Sequence, residues 1–173
     1  MVKAANPHLA TTNFILYSLN ANGMTNPVKV NHFNLVIGSR NPHVFVVNET
    51  KTHSKISKML PCHKYDIYEE PGAPADNHHI FKWGVVVGVC KDVQVARCIE
   101  ITQNSLKGRV VAVDIVLSML DGRCTGHRII DAYALWNQGG AGNVCFFWDD
   151  VTQLCLSLPM SWTMAGDFCE EPS

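Results

Sequence analysis

The strongest constraint on this chain is the length of its apolar runs, which are short, β-branched and cut off by turn residues. Phe14-Ile15-Leu16-Tyr17-Ser18-Leu19 stops at Asn20-Ala21-Asn22-Gly23, and His43-Val44-Phe45-Val46-Val47 stops at Asn48-Glu49. Trp83 to Cys90, Arg109 to Leu117 and His127 to Ala134 repeat the form, the last two introduced by Lys107-Gly108 and Asp121-Gly122-Arg123. Runs of this kind, bounded by Gly, Asn and Asp, read as buried strands. None approaches the roughly eighteen apolar residues of a membrane-spanning helix. With 173 residues, 47% hydrophobic and 17% charged, the chain suits one domain with a sizeable core and excludes a disordered or fibrous one.

Two segments carry a helical period instead. Pro27 suits a first turn, with Val30, Phe33 and Ile37 spaced along one face down to Gly38 and Asn41-Pro42 as a break. Val144, Phe147, Val151, Leu154 and Leu158 form a second apolar face, which Pro159 ends. The basic stretch Thr50 to Lys58 reads as polar loop or a short helix. Residues 69–79 read as surface loop by composition. Val93 to Ile101 is a weaker strand, forming a meander with Arg109–Leu117 and His127–Ala134. A last strand, Ser161 to Ala165, runs into Gly166-Asp167-Phe168-Cys169. The expectation is an α+β fold with helices outside a mainly antiparallel arrangement. It comprises a tail over 1–12 and a domain over 13–173, which looks cut short after the Gly-Asp turn.

Charge is unevenly spread. Residues 1–64 hold seven Lys or Arg against the single acid Glu49, a balance of +6, while residues 65–173 balance to −7. Such asymmetry suggests either a basic face from the first third or two segments that intermix on folding. Seven cysteines, none in a CxxC pair, fit reduced thiols with no disulfide partner. Cys90, Cys98 and Cys155 read as small core hydrophobes. The N-terminal segment has no apolar core of a secretory signal. An intracellular protein, nuclear or cytoplasmic, is expected. Cys62-His63 with His78-His79 fits no common zinc spacing.

Asn20, Glu49 and Asp167 each stand where an apolar strand ends, and strand ends at one rim bring distant segments together. A carboxylate with an amide oxygen is a hard donor set suited to Mg²⁺ or Mn²⁺. Alone, an Asn or Glu at a strand end is more often a turn-former or a solvated cap. Tyr133 alone is a core tyrosine with a bonded hydroxyl. Lys51, Lys55 and Lys58, at near-helical spacing, can contact nucleic-acid phosphates or form a solvated basic face.

Taken in order, six segments resemble the endonuclease/exonuclease/phosphatase superfamily. Ser18-Leu19-Asn20-Ala21-Asn22-Gly23-Met24 resembles its N-x-x-G-L loop, and Pro42 to Lys51 its P-D-V-x-x-L-Q-E-T-K segment. Trp83-Gly84-Val85 resembles the following G-V strand, and Gly108-Arg109-Val110-Val111 the G-R-x-V strand. Ile130-Asp131-Ala132-Tyr133-Ala134 is similar to the strand ending in Tyr-Ala-Pro, and Gly166-Asp167-Phe168-Cys169 to G-D-F-N. The exonuclease III and abasic-site endonuclease branch, including non-LTR retrotransposon modules, is the nearest in flavour.

The resemblance implies a deoxyribonuclease I-like four-layer α/β-sandwich, incomplete at its C-terminus, and metal-dependent hydrolysis of a DNA phosphodiester. It implies Glu49 as the principal Mg²⁺ or Mn²⁺ ligand with Asn20 beside metal and nucleophile. It further implies Asp167 orienting or deprotonating water and Tyr133 at the phosphate. Three departures stand out. The family asparagine is Cys169, the Tyr-Ala-Pro proline is Leu135, and none of the eight histidines follows Asp167. A metal-dependent nuclease of impaired activity is therefore one expectation, and a non-catalytic retroelement relic the other. A small-molecule or lipid phosphodiesterase is a third.

Overall fold

The computed structural model describes residues 14–74, 81–119, 121–134 and 141–168. In chain order these form β1 (Leu16–Asn20), α1 (Pro27–Arg40), β2 (Val44–Asn48), a 3₁₀ turn (Ser57–Met59), β3 (Tyr65–Glu70), β4 (Ala73–Pro74), β5 (Phe81–Lys82), β6 (Val85–Cys90), β7 (Gln94–Cys98), β8 (Val110–Ser118), β9 (Cys124–Tyr133), α2 (Ala141–Leu156) and β10 (Ser161–Asp167). One four-stranded sheet runs β1-β2-β6-β3, a second runs β10-β9-β8-β7, and β4 pairs with β5. The α+β expectation holds.

Two pairings are parallel, β1 with β2 and β9 with β10, and the rest are antiparallel. Each parallel pair is joined through a helix, because a parallel neighbour needs a crossover. The carboxyl ends within each pair are in register, Asn20 opposite Asn48 and Asp167 opposite Tyr133. β1 also packs against β10, and β2 against β9. Four strand ends from four distant segments thus meet at one rim.

The core follows strand alternation. Val111, Val113, Ile115 and Ile129 of the second sheet share a core with β2, β6 and the α1 residues Val30, Phe33 and Ile37. The alternate residues Val110, Ala112, Ile130 and Ala132 pack with Phe147, Val151, Leu154 and Cys155 of α2. Every residue of β2 and β6 is buried, as a strand covered on both faces requires. Gly88 sits opposite Phe45, whose ring lies edge-on to Phe33 and Tyr65. A Cβ at Gly88 would come within 2.1 Å of the Phe45 ring. Gly88→Ala is therefore expected to destabilise the protein by about 1–3 kcal/mol through overpacking, read from its urea midpoint.

Helix ends follow their caps. Asn26 accepts from the Val28 N–H at 2.9 Å, Pro27 opens α1, and left-handed Asn41 closes it with its N–H on the Ile37 carbonyl. α1 therefore runs through Gly38 to Arg40 rather than ending at the glycine. α2 ends at Leu156, short of Pro159. Leu158 is 37% exposed, and Cys155 takes the buried place expected for it.

Other expectations give way. Glu69 and Glu70 end strand β3, and Ala73-Pro74 form β4, where a loop over 69–79 was expected. The Thr50–Lys58 stretch is irregular loop, bent at His53-Ser54, up to the single 3₁₀ turn, because Lys51 is left-handed at φ 52° and breaks any helix. Cys98 is exposed on edge strand β7, unlike buried Cys90 and Cys155, and the six described cysteines are free. His78, His79, Leu135, Cys169 and the tail over 1–12 lie outside the described residues. No described helix is long and apolar enough to cross a membrane.

Candidate functional site

At the rim, the four strand ends are joined by one hydrogen-bond chain. The Tyr133 hydroxyl donates to Glu49 Oε1 at 2.8 Å, and Lys51 Nζ lies 3.1 Å from Glu49 Oε2. Lys51 also donates to Asn22 Oδ1 at 2.7 Å, and the Asn22 N–H donates to Asn20 Oδ1 at 3.0 Å. Asn20 Nδ2 completes the chain by donating to Asp167 Oδ2. Asn20, Glu49 and Asp167, singled out at strand ends, and Tyr133, which the resemblance adds, are therefore brought together. The two carboxylates are linked through Lys51, Asn22 and Asn20.

The backbone beneath is strained and held. Glu49 is left-handed at φ 53°, costing on the order of 1–3 kcal/mol for a side chain of this type. Its carbonyl accepts from Gly23 N–H at 2.7 Å, and the Thr50 carbonyl accepts from Met24 N–H at 2.7 Å. On the other side, Thr50 N–H donates to the Gly84 carbonyl at 3.0 Å and Lys51 N–H to the Trp83 carbonyl at 2.7 Å. Gly84 itself is at φ 90°, and a Cβ there would meet Thr50 Oγ1 at 2.2 Å. The loop after β1 and the loop before β6 thus clamp Glu49 from both flanks.

Two further groups shape the site. Arg109, 4% exposed, stacks on Trp83 with its guanidinium carbon 3.3 Å from the ring centre. Burial brings its pKa down to about 10, against the opposing pull of Tyr133. The Tyr133 N–H donates to the Arg109 carbonyl at 2.8 Å, which ties β9's end to the Trp83 loop. Lys29 Nζ donates to the Asn22 carbonyl at 3.1 Å, so two lysines gather at Asn22. Arg109, Asn22 and Lys29 carried no site signal beyond the motifs around them.

The lysines at 51, 55 and 58 part company. Lys51 belongs to the rim, Lys55 lines a cleft between β3 and β7 with Glu69, Glu70, Cys98 and Lys107, and Lys58 is exposed in the 3₁₀ turn. Lys64 instead bonds Asn41 at the opposite end of the first sheet. The bases of the first third are therefore split between two ends.

No cluster of three or more His, Cys, Asp or Glu among the described residues can hold a metal. The donor set at Glu49 and Asn20 nevertheless fits Mg²⁺, which takes one or two carboxylates and keeps most of its waters. Zinc, which wants four soft or imidazole donors, does not fit.

No family model and no curated protein matches the sequence. Solved structures do. The chain is similar to the catalytic domain of Xenopus laevis APE2, with a TM-score of 0.69 and 12% identity, over 90% of this chain and 58% of that one. It is similar to the AP endonuclease LMAP of Leishmania major, with a TM-score of 0.60 and 17% identity, over 89% of this chain and 54% of that one. The human Nocturnin catalytic domain matches with a TM-score of 0.59 and 15% identity, over 91% of this chain and 64% of that one. The chain spans a little over half the length of the first of these. It shares the fold of these solved structures over the part of each that it covers.

Proposed function

We propose that this chain is a Mg²⁺- or Mn²⁺-dependent phosphodiesterase domain acting on DNA, within the four-layer sandwich of deoxyribonuclease I-like proteins. The observation that carries the reading is the hydrogen-bonded set Tyr133–Glu49–Lys51–Asn22–Asn20–Asp167 at the carboxyl ends of two parallel strand pairs. Ligands of strand-and-helix folds commonly sit outside such ends. Two of the similar structures are named as AP endonucleases, which favours DNA as the substrate class. An intracellular location goes with that substrate.

In this reading Glu49 would hold the cation, with the Asn20 amide oxygen as a further hard donor. When bound, the cation neutralises phosphate charge and stabilises the leaving oxygen. Asp167, steadied by the Asn20 amide, accepts the proton of the attacking water. Tyr133 donates to the carboxylate in the ground state and is placed to donate to a phosphate oxygen as charge develops. Lys51, paired with Glu49 Oε2, and Lys29, on the Asn22 carbonyl, supply positive charge for a phosphate.

A Mn²⁺ titration followed by water-proton relaxation tests this. The wild type is expected to bind one ion, and Glu49→Gln to bind at least about tenfold more weakly, since even outer partners of metal ligands cost that much. Equal binding by both proteins would sink the assignment of Glu49. A wild type that binds Mn²⁺ yet never cuts DNA would favour the non-catalytic relic.

A further inference from the structure

Between the sheets, directly below the rim, lies a buried polar pair. Asn48 is 1% exposed and Asp131 is fully buried. Asn48 precedes Glu49, and Asp131 stands two residues before Tyr133 on the same face of β9. Asn48 Nδ2 donates to Asp131 Oδ1. The remaining atoms of the pair, Asn48 Oδ1 and Asp131 Oδ2, make no hydrogen bond among the described residues. Two acceptors left over on two bonded partners point to a missing proton. With Asp131 ionised, its Oδ2 and the Asn48 Oδ1 both stay buried without a donor. A protonated Asp131 donates its Oδ2–H to Asn48 Oδ1 and closes a ring of two hydrogen bonds.

The surroundings agree. Asp131 is flanked by Val111 on β8 and Ala165 on β10, and the next titratable group on its face of β9 is Tyr133. Burial pushes its acid well above the usual carboxylate range, while the Asn48 side chain and the backbone of Val86 and Val47 pull less strongly the other way. The arginine of β9, Arg128, faces α2 and pairs with Asp114 instead.

We propose that Asn48 and Asp131 form a neutral, doubly hydrogen-bonded acid–amide pair that locks β2 to β9 and thereby positions Glu49 against Tyr133. Both are positioning residues, since their side chains are buried between the sheets and bond each other. The pair stands on its own geometry; its effect on the site rests on the phosphodiesterase reading.

Infrared difference spectra of wild type against Asp131→Asn test the pair first. A protonated-carboxyl stretch at neutral pH is expected from the wild type. Asp131→Asn keeps both hydrogen bonds, so it should fold and melt at or above the wild-type temperature. Because the folded acid lies above its ordinary 3.8, wild-type stability falls as pH rises from that value towards the folded one. The melting advantage of Asp131→Asn should therefore grow over that same window. Asp131→Ala strands the Asn48 amide and should melt roughly 3–10 °C lower. Should it not fold, Asp131→Thr, which restores one hydrogen bond, takes its place.

For the positioning role, Asp131→Asn should bind Mn²⁺ within about twofold of wild type, and Asp131→Ala or Asp131→Thr roughly tenfold more weakly with Glu49 intact. A carboxylate band from Asp131, or an asparagine variant as damaged as alanine, would overturn the pair. Folded alanine or threonine protein with unchanged Mn²⁺ affinity would overturn the positioning role. A wild type that binds no Mn²⁺ defeats the phosphodiesterase reading, and the infrared result still decides the pair.

Discussion

Incubated with plasmid DNA bearing abasic sites in Mg²⁺, a polypeptide of these 173 residues is expected to nick about a hundred- to a thousandfold more slowly than an abasic-site endonuclease assayed beside it. The resemblance places a phosphate-side amide at position 169, and this sequence has Cys169 there, whose thiol is a weak donor. Losing one well-placed donor commonly costs that factor. The closing histidine that the resemblance implies is not among these 173 residues, whose eight histidines all precede Asp167, and a lost acid or base costs about 10²–10⁴. Members of one site act as a unit, so these factors do not multiply. The residual cutting should vanish in EDTA and in Glu49→Gln, and Cys169→Asn should raise it. Robust cutting by the unaltered polypeptide, abolished by both EDTA and Glu49→Gln, would show that Asn20, Glu49, Tyr133 and Asp167 suffice without those two groups.

That Asn20, Glu49 and Asp167 can be found from sequence follows from where they stand, at the ends of apolar runs. Tyr133, inside the His127–Ala134 run, is raised only by the family resemblance. The pairing of those ends is not legible in the same way. β1 with β2 and β9 with β10 are parallel partners set by crossover helices, and no local pattern of Leu16–Asn20 names Val44–Asn48 as its neighbour. β3 escaped because Tyr65-Asp66-Ile67-Tyr68-Glu69-Glu70 is an edge strand with only Tyr65 buried, so its composition reads as surface. The Lys51–Lys58 spacing misled because a left-handed Lys51, held by the Trp83 carbonyl 32 positions further along the chain, cancels helical geometry that i,i+4 counting assumes. Asn48 and Asp131 were hidden for another reason. A polar residue in a strand looks outward-facing until the opposing sheet supplies its partner, and here each is the other's partner across the core.

Arg128 shows the same logic at higher stakes. It is fully buried in β9, with Nε on Asp114 Oδ1 at 2.6 Å and Nη2 on Asp114 Oδ2 at 2.9 Å, while Nη1 donates to the Leu154 carbonyl and to Ser157. It thereby caps α2, which has no basic residue of its own in its last turn. Arg128→Met is expected to cost about 3–5 kcal/mol, because Asp114 keeps a buried charge facing only the half-exposed Arg97. For a chain of this size that is roughly 6–20 °C in melting temperature. The double variant Arg128→Met with Asp114→Leu should recover most of it, since a buried pair replaced whole is close to neutral. The pH dependence separates charge from packing. Burial raises the Asp114 acid, but hydrogen bonds and charges from Arg128 and Arg97 together outweigh it and leave it below the ordinary 3.8. A depressed folded value means the contribution is present above the unfolded value and lost as pH falls through the folded one. Without Arg128, burial meets less opposition and the Asp114 acid rises. The deficit of Arg128→Met should then be full near neutral pH and shrink as pH falls below the ordinary 3.8, because the variant's Asp114 is protonated there while the wild type loses the ion pair's contribution. A deficit that stayed constant across that range would assign the loss to the α2 cap and packing, and not to the ion pair.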